Sequence, residues 1–294
     1  MRIVHFSDIH IGRLPDDATA LFDKRLLGFL NFLIRRRGSM NEELIRLAVP
    51  RVRSLQPDLV VCTGDLTCVG APVEFEAARA ILKPLYGSRA YEFFALPGNH
   101  DAYVRNHRCR RAFKDTFAAL NGERLLLDSL PQEVRRGQLR LLFVNEAHPR
   151  APWKSTGELS ALTRQWLEAQ TEPKREPAER RILVGHFPSR DAAGNPLVRR
   201  RRLDGDNHIA ELLASERLDM ALCGHIHTPF RRDVTACAME VCAGSLPMAG
   251  KLNVVDYCPL SGELVQQWEN VTGPAAGRVG LAKQLRPAEV APCP

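Results

Sequence analysis

Five short segments of this chain place metal-ligand or proton-donor side chains where an apolar run ends. They are Asp8-Ile9-His10, Gly64-Asp65, Gly98-Asn99-His100-Asp101, Gly185-His186 and Gly224-His225-Ile226-His227. A mixture of carboxylate, amide and imidazole donors with no thiolate suits Mn²⁺, Fe or Zn²⁺. Asp8, His10, Asp65, Asn99, His186, His225 and His227 are too many for one tetrahedral ion, and they suit two divalent ions sharing a bridge. On extended chain, Asp8 and His10 would face one side, with Ile9 turned into the core. Taken singly, Gly-Asn-His-Asp reads as a polar surface turn. Five strand ends carrying the same donor types are hard to attribute to chance. Five of the nine histidines (10, 100, 186, 225 and 227) fall in these segments.

The elements that position these residues follow from apolar pattern and turn punctuation. Short strands are predicted over Arg2–Ser7, Leu59–Thr63, Tyr91–Leu96, Leu139–Asn145, Arg181–Gly185 and Met220–Cys223. Helices are predicted over 41–55 with Asn41 or Ser39 as cap, 73–85, 108–120, 160–168 and 207–215 with Asp206 as cap. Residues 171–180 read as a charged, proline-containing loop. Strands alternating with helices across short connections argue for parallel β-α-β units in an α/β fold. Residues 240–243, 252–256 and 264–268 read as late strands in a meander. From Gly273 the chain is rich in Ala, Pro and Gly, so residues 1–272 read as the catalytic domain and 273–294 as a loosely attached tail. There is no internal repeat.

Leu21 to Arg37 stands apart. Phe22, Leu26, Phe29, Leu30 and Leu33 share a helical face, Leu27, Phe32 and Ile34 widen it, and Lys24, Arg25 and Arg35–Arg37 flank it. Two readings stand side by side: a basic amphipathic helix lying on an anionic membrane or against a hydrophobic substrate, and a core-packing helix with a solvated basic end.

The 294 residues carry a net charge of +7 and are 45% hydrophobic, which supports a sizeable core and excludes a mainly disordered chain. A basic surface attracts nucleic acid, anionic lipid or phosphorylated substrates. The eight cysteines form no Cys-x-x-Cys pair, and Cys62 and Cys223 sit in apolar strands, so free thiols in a reducing, cytoplasmic setting are expected. The chain opens on strand residues Ile3–Phe6, so no signal peptide is expected, and no apolar run reaches the length of a membrane span.

The order Asp-x-His, Gly-Asp, Gly-Asn-His-Asp, Gly-His, Gly-His-x-His resembles the calcineurin-like metallophosphoesterase superfamily over roughly residues 1 to 270, with every motif position filled. The resemblance implies a four-layer α/β/β/α sandwich of two mixed sheets with helices outside. It also implies that Asp8, His10 and His227 hold one ion, that Asn99, His186 and His225 hold the other, and that Asp65 bridges them. Two divalent ions, Mn favoured over Fe or Zn, would make a bridging hydroxide available at neutral pH and neutralise the phosphate oxygens it attacks. His100 is not needed as a ligand and is assigned the proton donor to the leaving oxygen, with Asp101 orienting its ring.

Substrate is less determined than reaction. The first reading is a lipid-linked nucleotide diphosphate cleaved at the inner membrane surface, similar to the UDP-2,3-diacylglucosamine pyrophosphatases, with residues 21–37 as the peripheral contact. The best-known branch of that group carries Arg where His100 stands, which places the kinship in another branch. The second is a soluble cyclic-nucleotide or general phosphodiesterase, which matches the motif set equally well. A repair nuclease fits less, for want of an extended capping domain. Protein serine/threonine phosphatases usually carry Glu where Asp101 stands. A metal-free scaffold would have lost ligands. Arg199, Arg200, Arg201 and Arg202 read as a solvated loop or as a clamp for a diphosphate. His148, after a strand, is a candidate substrate contact. His5 reads as a packed strand residue, and His107 and His208 as helix-end residues. The sequence leaves oligomeric state open.

Overall fold

A computed structural model describes residues 1–15, 20, 23–32, 38, 40–122, 124–151, 154–173 and 176–273. In chain order the elements are β1 (Arg2–Phe6), α1 (Lys24–Asn31), α2 (Glu42–Ser54), β2 (Leu59–Cys62), α3 (Pro72–Tyr86), β3 (Glu92–Ala95), α4 (His107–Asn121), β4 (Gln132–Arg136), β5 (Leu139–Phe143) and β6 (Gly157–Glu158). They continue as α5 (Ala161–Gln170), β7 (Arg180–Val184), β8 (Leu203–Asp204), α6 (Asp206–Ala214), β9 (Met220–Cys223), β10 (Phe230–Asp233), β11 (Met239–Cys242), α7 (Leu246–Ala249), β12 (Lys251–Tyr257) and β13 (Leu264–Asn270).

Among the described residues, two large mixed sheets form, in the orders β13-β12-β1-β2-β3 and β10-β11-β9-β7-β5-β4. β1, β2 and β3 run parallel, as do β5, β7, β9 and β11. Antiparallel partners close the edges at β12–β13, β4 and β10. Alternation along each strand sorts side chains into three apolar layers. Val4, Phe6, Val60 and Phe93 pack outward with Ile45, Phe75 and Phe117 of α2, α3 and α4. Ile3, Leu59, Val61 and Phe94 meet Leu141, Phe143, Ile182, Val184 and Leu222 between the sheets. Leu142, Leu183 and Ala221 face Leu167, Ile209, Leu212 and Leu213 of α5 and α6. This is the expected α/β/β/α sandwich, and strands buried on both faces explain why they read as continuous apolar runs.

The late strands are not a meander. β11 pairs parallel to β9 in one sheet, whereas β12 and β13 form a hairpin beside β1 in the other. The four-residue helix α7 makes the crossing between sheets. β4 and β10 were not expected: of the residues of β4 only Val134 is buried, so no apolar run announces this edge strand. Asp206 does not cap α6 but begins it, after Gly205 at φ 100°.

Within residues 21–37, helix α1 departs from the expectation at one flank. Arg25, expected on a solvated flank, is fully buried, with its guanidinium on Asp23 and on Cys109 Sγ. Phe29 is buried, while Leu27 and Leu30 are 65% and 43% exposed. Leu21, Phe22, Leu33, Ile34, Arg35–Arg37 and Ser39 lie outside the described residues, as do residues 274–294 of the expected tail. Among the described residues no helix is long and apolar enough to cross a membrane. Cys62, Cys68, Cys109, Cys223, Cys242 and Cys258 are free thiols, but Cys237 is disulfide-bonded, which departs from the expectation for the cysteines.

Candidate active site

The carboxyl ends of β1, β2, β3, β7 and β9 empty into loops that meet at one place, as parallel strands of an α/β fold permit. The close meeting depends on glycine. A Cβ on Gly98 would collide with the Asp65 carboxylate, and one on Gly224 with Ser7 and Asp8. The loops are also strained. Asp8, His10, Asp65 and His225 adopt positive φ of 53°, 44°, 52° and 65°, four of the six non-glycine residues to do so among those described. Left-handed backbone at such residues costs about 1–3 kcal/mol each and persists where surrounding bonds over-determine it. Here Asp8 N donates to Gly64 O (2.9 Å), His10 N to Asp65 O (3.0 Å) and His225 N to Asp8 Oδ2 (2.9 Å). Asp8 and His10 therefore converge through two left-handed residues, not through the extended pleat expected.

The seven donors form two groups joined by Asp65. Asp8, His10 and His227 lie together, as do Asp65, His186 and His225. His10 Nε2 is 3.4 Å from Asp8 Oδ1, 3.1 Å from His227 Nε2 and 3.6 Å from Asp65 Oδ2. On the other side, Asp65 Oδ2 is 3.5 Å from His186 Nε2, and Asn99 Oδ1 is 3.3 Å from His186 Nε2 and 2.9 Å from His225 Nδ1. His100 also falls within reach of His10 and Asp65. A cleft of about 290 Å³ opens over Asp65, His100, Arg201, His225, His227 and Thr228.

Main-chain carbonyls set the tautomers. Thr67 O faces His10 Nδ1 (3.3 Å), Thr63 O faces His186 Nδ1 (2.6 Å), Cys68 O faces His100 Nδ1 (2.5 Å) and Arg201 O faces His225 Nε2 (3.0 Å). A carbonyl only accepts, so each of those nitrogens carries a proton and the opposite nitrogen of a neutral ring presents its lone pair to the cluster. Lone pairs then face acceptors: His225 Nδ1 looks at an amide oxygen, and the buried Asp8 Oδ1 has no hydrogen-bond partner. Such a set of inward acceptors fits divalent cations and leaves little else to satisfy it.

The protein's charges reflect this crowding. Burial pushes the Asp8 carboxyl up, but the His10 ring 3.4 Å away and the His186 charge outweigh it and hold the group at about 2. Asp65 is likewise held well below the usual carboxylate range, burial being overcome by His186 and His100. Burial works against the His186 imidazolium, yet Asp65 and Asp8 raise it to about 10, so without a cation its Nε2 carries a proton toward Asp65, and a bound cation would take that proton's place on the lone pair. Burial and the His186 charge push His225 down to about 3, so its ring is neutral.

Other expected residues fall less simply. Asp101 does not face the His100 ring. Its carboxylate accepts from Leu66 N (3.2 Å), Thr67 N (3.0 Å), Thr67 Oγ1 (3.0 Å) and Gly98 N (3.0 Å), tying two site loops together. Burial, followed by the Asp65 charge, raises it to about 7. The orienting partner of His100 is the Cys68 carbonyl, with Tyr103 stacked on the ring at 5.6 Å and 11°. Of the four arginines, Arg201 lines the cleft, Arg202 lies 3.6 Å from Asp206, and all four are exposed. His148 is half-buried beside Arg150 and Glu158, and no contact ties it to the histidine cluster.

Two buried carboxylates were missed by sequence reasoning. Glu146 Oε2 accepts from His186 N (2.7 Å) and Phe187 N (2.8 Å), and Glu240 accepts from Ser189 N (2.6 Å), Ser189 Oγ (3.1 Å) and Arg232 (2.6 Å). Together they clamp the loop that carries His186. Burial raises Glu146 to about 7. An acid just past the apolar strand β5 was the available sign.

Residues 1–229 match the family model for calcineurin-like phosphoesterases. The chain belongs to that family. Among curated relatives of this phosphoesterase, a probable glycerophosphodiester phosphodiesterase GpdQ of Arcobacter nitrofigilis is 28% identical over 58% of this chain and 57% of that protein. A 3′,5′-cyclic-nucleotide phosphodiesterase of Nostoc is 26% identical over 67% of each chain. The phosphoesterase thus spans little more than half the length of the first of these relatives. A dimetal phosphatase from Danio rerio shares the fold at TM-score 0.63 and 14% identity, over 92% of this chain and 96% of that one. The purple acid phosphatase PPD1 of yellow lupin does so at 0.57 and 12%, over 92% and 51%.

Proposed function

We propose that this phosphoesterase is a dinuclear-metal-dependent hydrolase of phosphodiester bonds in small molecules. Asp8, His10 and His227 would hold one divalent cation, Asn99, His186 and His225 the second, and Asp65 both. The observation that carries this reading is the position of Asp65 Oδ2, 3.6 Å from His10 Nε2 and 3.5 Å from His186 Nε2, between two sets of inward lone pairs. The names of the curated relatives support a small phosphodiester as substrate.

When bound, two divalent cations supply Lewis acidity toward water and positive charge against phosphoryl oxygens. The chain's own residues do the rest. The Cys68 carbonyl and the Tyr103 ring hold His100 at the cleft, where the imidazolium form, with Nδ1–H kept on that carbonyl, would give its Nε2 proton or a hydrogen bond to the departing oxygen. Asp101 keeps the turns bearing Asp65 and His100 in register. Glu146 and Glu240 fix the His186 loop. Oxygen and nitrogen donors with no thiolate suit Mn²⁺, Fe or Zn²⁺, and of these Mn²⁺ is the ion favoured here.

The test is hydrolysis of bis(p-nitrophenyl) phosphate by protein loaded with Mn²⁺, Fe²⁺ or Zn²⁺, followed by glycerophosphodiesters and cyclic nucleotides. Turnover that requires an ion is expected, and inactivity with every ion would overturn the reading. A lipid-linked nucleotide diphosphate is the second reading. Leu14, Leu27 and Leu30, exposed at 73%, 65% and 43%, favour it. Faster cleavage of UDP-diacylglucosamine than of any soluble diester, with binding to anionic liposomes, would select it.

A further inference from the structure

Lys24, the first residue of α1, holds a half-buried ammonium at an open cleft of about 600 Å³ between α1, residues 103–106 and residues 149–151. Of its three N–H groups one is used, on Arg150 O at 2.9 Å, and the charge sits 4.0 Å from the Tyr103 ring centroid. The acid next to it in sequence does not neutralise it: the Asp23 carboxylate takes Arg25 Nε (3.0 Å) and Arg25 Nη2 (2.9 Å). Burial lowers the Lys24 pKa to about 8, with Asp23 opposing.

Two more cations line the same cleft. Arg105 is exposed, and Arg150 pairs through Nη2 with Glu158 (2.7 Å) while its buried Nε has no hydrogen-bond partner. The cleft therefore combines three cations with one acid that is already paired. It also shares a wall with the candidate active site, because Tyr103 stacks on His100 and the His100 ring lies 4.9 Å from His10. With Lys24 over the Tyr103 ring, a compact anion suits this cleft better than a flat base does.

We propose that this cleft is a subsite for a second anionic group, a phosphate monoester carried by the phosphodiester substrate one short spacer from the bond that is cleaved. The proposal rests on the phosphodiesterase reading above and adds to it a class of substrate. A phosphate presents several acceptor oxygens at once to Lys24 and Arg105, which is what separated, under-used donors can engage, with the Glu158-paired Arg150 beside them.

The experiment compares the p-nitrophenyl ester of thymidine 5′-phosphate with the same ester bearing a 3′-phosphate, on Mn²⁺-loaded protein. Wild type should prefer the 3′-phosphorylated ester by roughly tenfold in kcat/KM, the scale of a hydrogen bond to a charged group. Lys24→Met and Arg105→Met should each bring that ratio toward one. Equal use of the two esters by wild type, or a preference that survives both substitutions, would overturn the subsite. A second measurement needs no turnover. Thymidine 3′,5′-bisphosphate, and not the 5′-monophosphate, should shift the NMR resonances of methyl-labelled Lys24, and an unmoved Lys24 would overturn the subsite. Hydrolysis of neither ester with a shifted Lys24 would instead count against the phosphodiesterase reading alone.

Discussion

The histidine cluster and the Lys24 cleft are neighbours built on opposite plans. In the cluster, four imidazoles are each pinned by a main-chain carbonyl and the carboxylates sit under fixed amides. In the cleft, Lys24 has one hydrogen bond and Arg105 has a solvated head. Backbone geometry sets the first region and cannot drift without the sandwich, so it suits a reaction centre that tolerates little displacement. Side chains on a peripheral helix and a loop set the second, which suits selection among substrates.

That contrast can be broken at its strongest point first. Asp65→Ala removes the oxygen shared by both groups, so the protein should bind neither ion and lose phosphodiester hydrolysis to background, read by metal analysis and turnover; a full metal complement would refute the bridge. His100→Ala comes next. It should lower kcat by about 10²–10⁴-fold while metal content is unchanged. Because His100 also lies within reach of His10 and Asp65, equal loss of metal would make it a ligand instead.

Glu146→Gln tests the support behind the cluster. It weakens the grip on His186 N and Phe187 N, and metal affinity should fall roughly 10–100-fold, the range for outer-shell partners. A metal titration beside an unchanged circular dichroism spectrum checks it. The smallest effect lies in the cleft. Lys24 loses its charge as pH rises through about 8, so preference for a second phosphate should weaken there. Asp23 is committed to Arg25, and Arg105 and Arg150 line the same cleft, which leaves a residual preference. The Lys24→Met protein should show no such step.

Much of the cluster was legible in the chain because each donor follows an apolar strand, and all but Asp8 and His10 follow a glycine turn as well. Asp65, Asn99, His186 and His225 all lie two to four residues past β2, β3, β7 and β9. Asp101 shows where adjacency misleads. It is next to His100 in sequence, but its loop turns it toward the amides of Leu66, Thr67 and Gly98. Arg25 misleads similarly, since a basic residue on an amphipathic helix reads as solvated until Asp23 and Cys109 close over it.

By itself the sequence determined the strand ends, their donor types and the α/β alternation, because these depend on local apolar pattern and on the turns that interrupt it. Tertiary structure alone decided which nitrogen of each histidine faces inward, which carboxylates brace the loops, and that α1 brings Lys24 beside Tyr103. Every residue has a carbonyl, so no residue type marks Thr63, Thr67, Cys68 or Arg201 as a tautomer-setting acceptor. Those choices arise only when distant loops are packed within a few ångströms of one another.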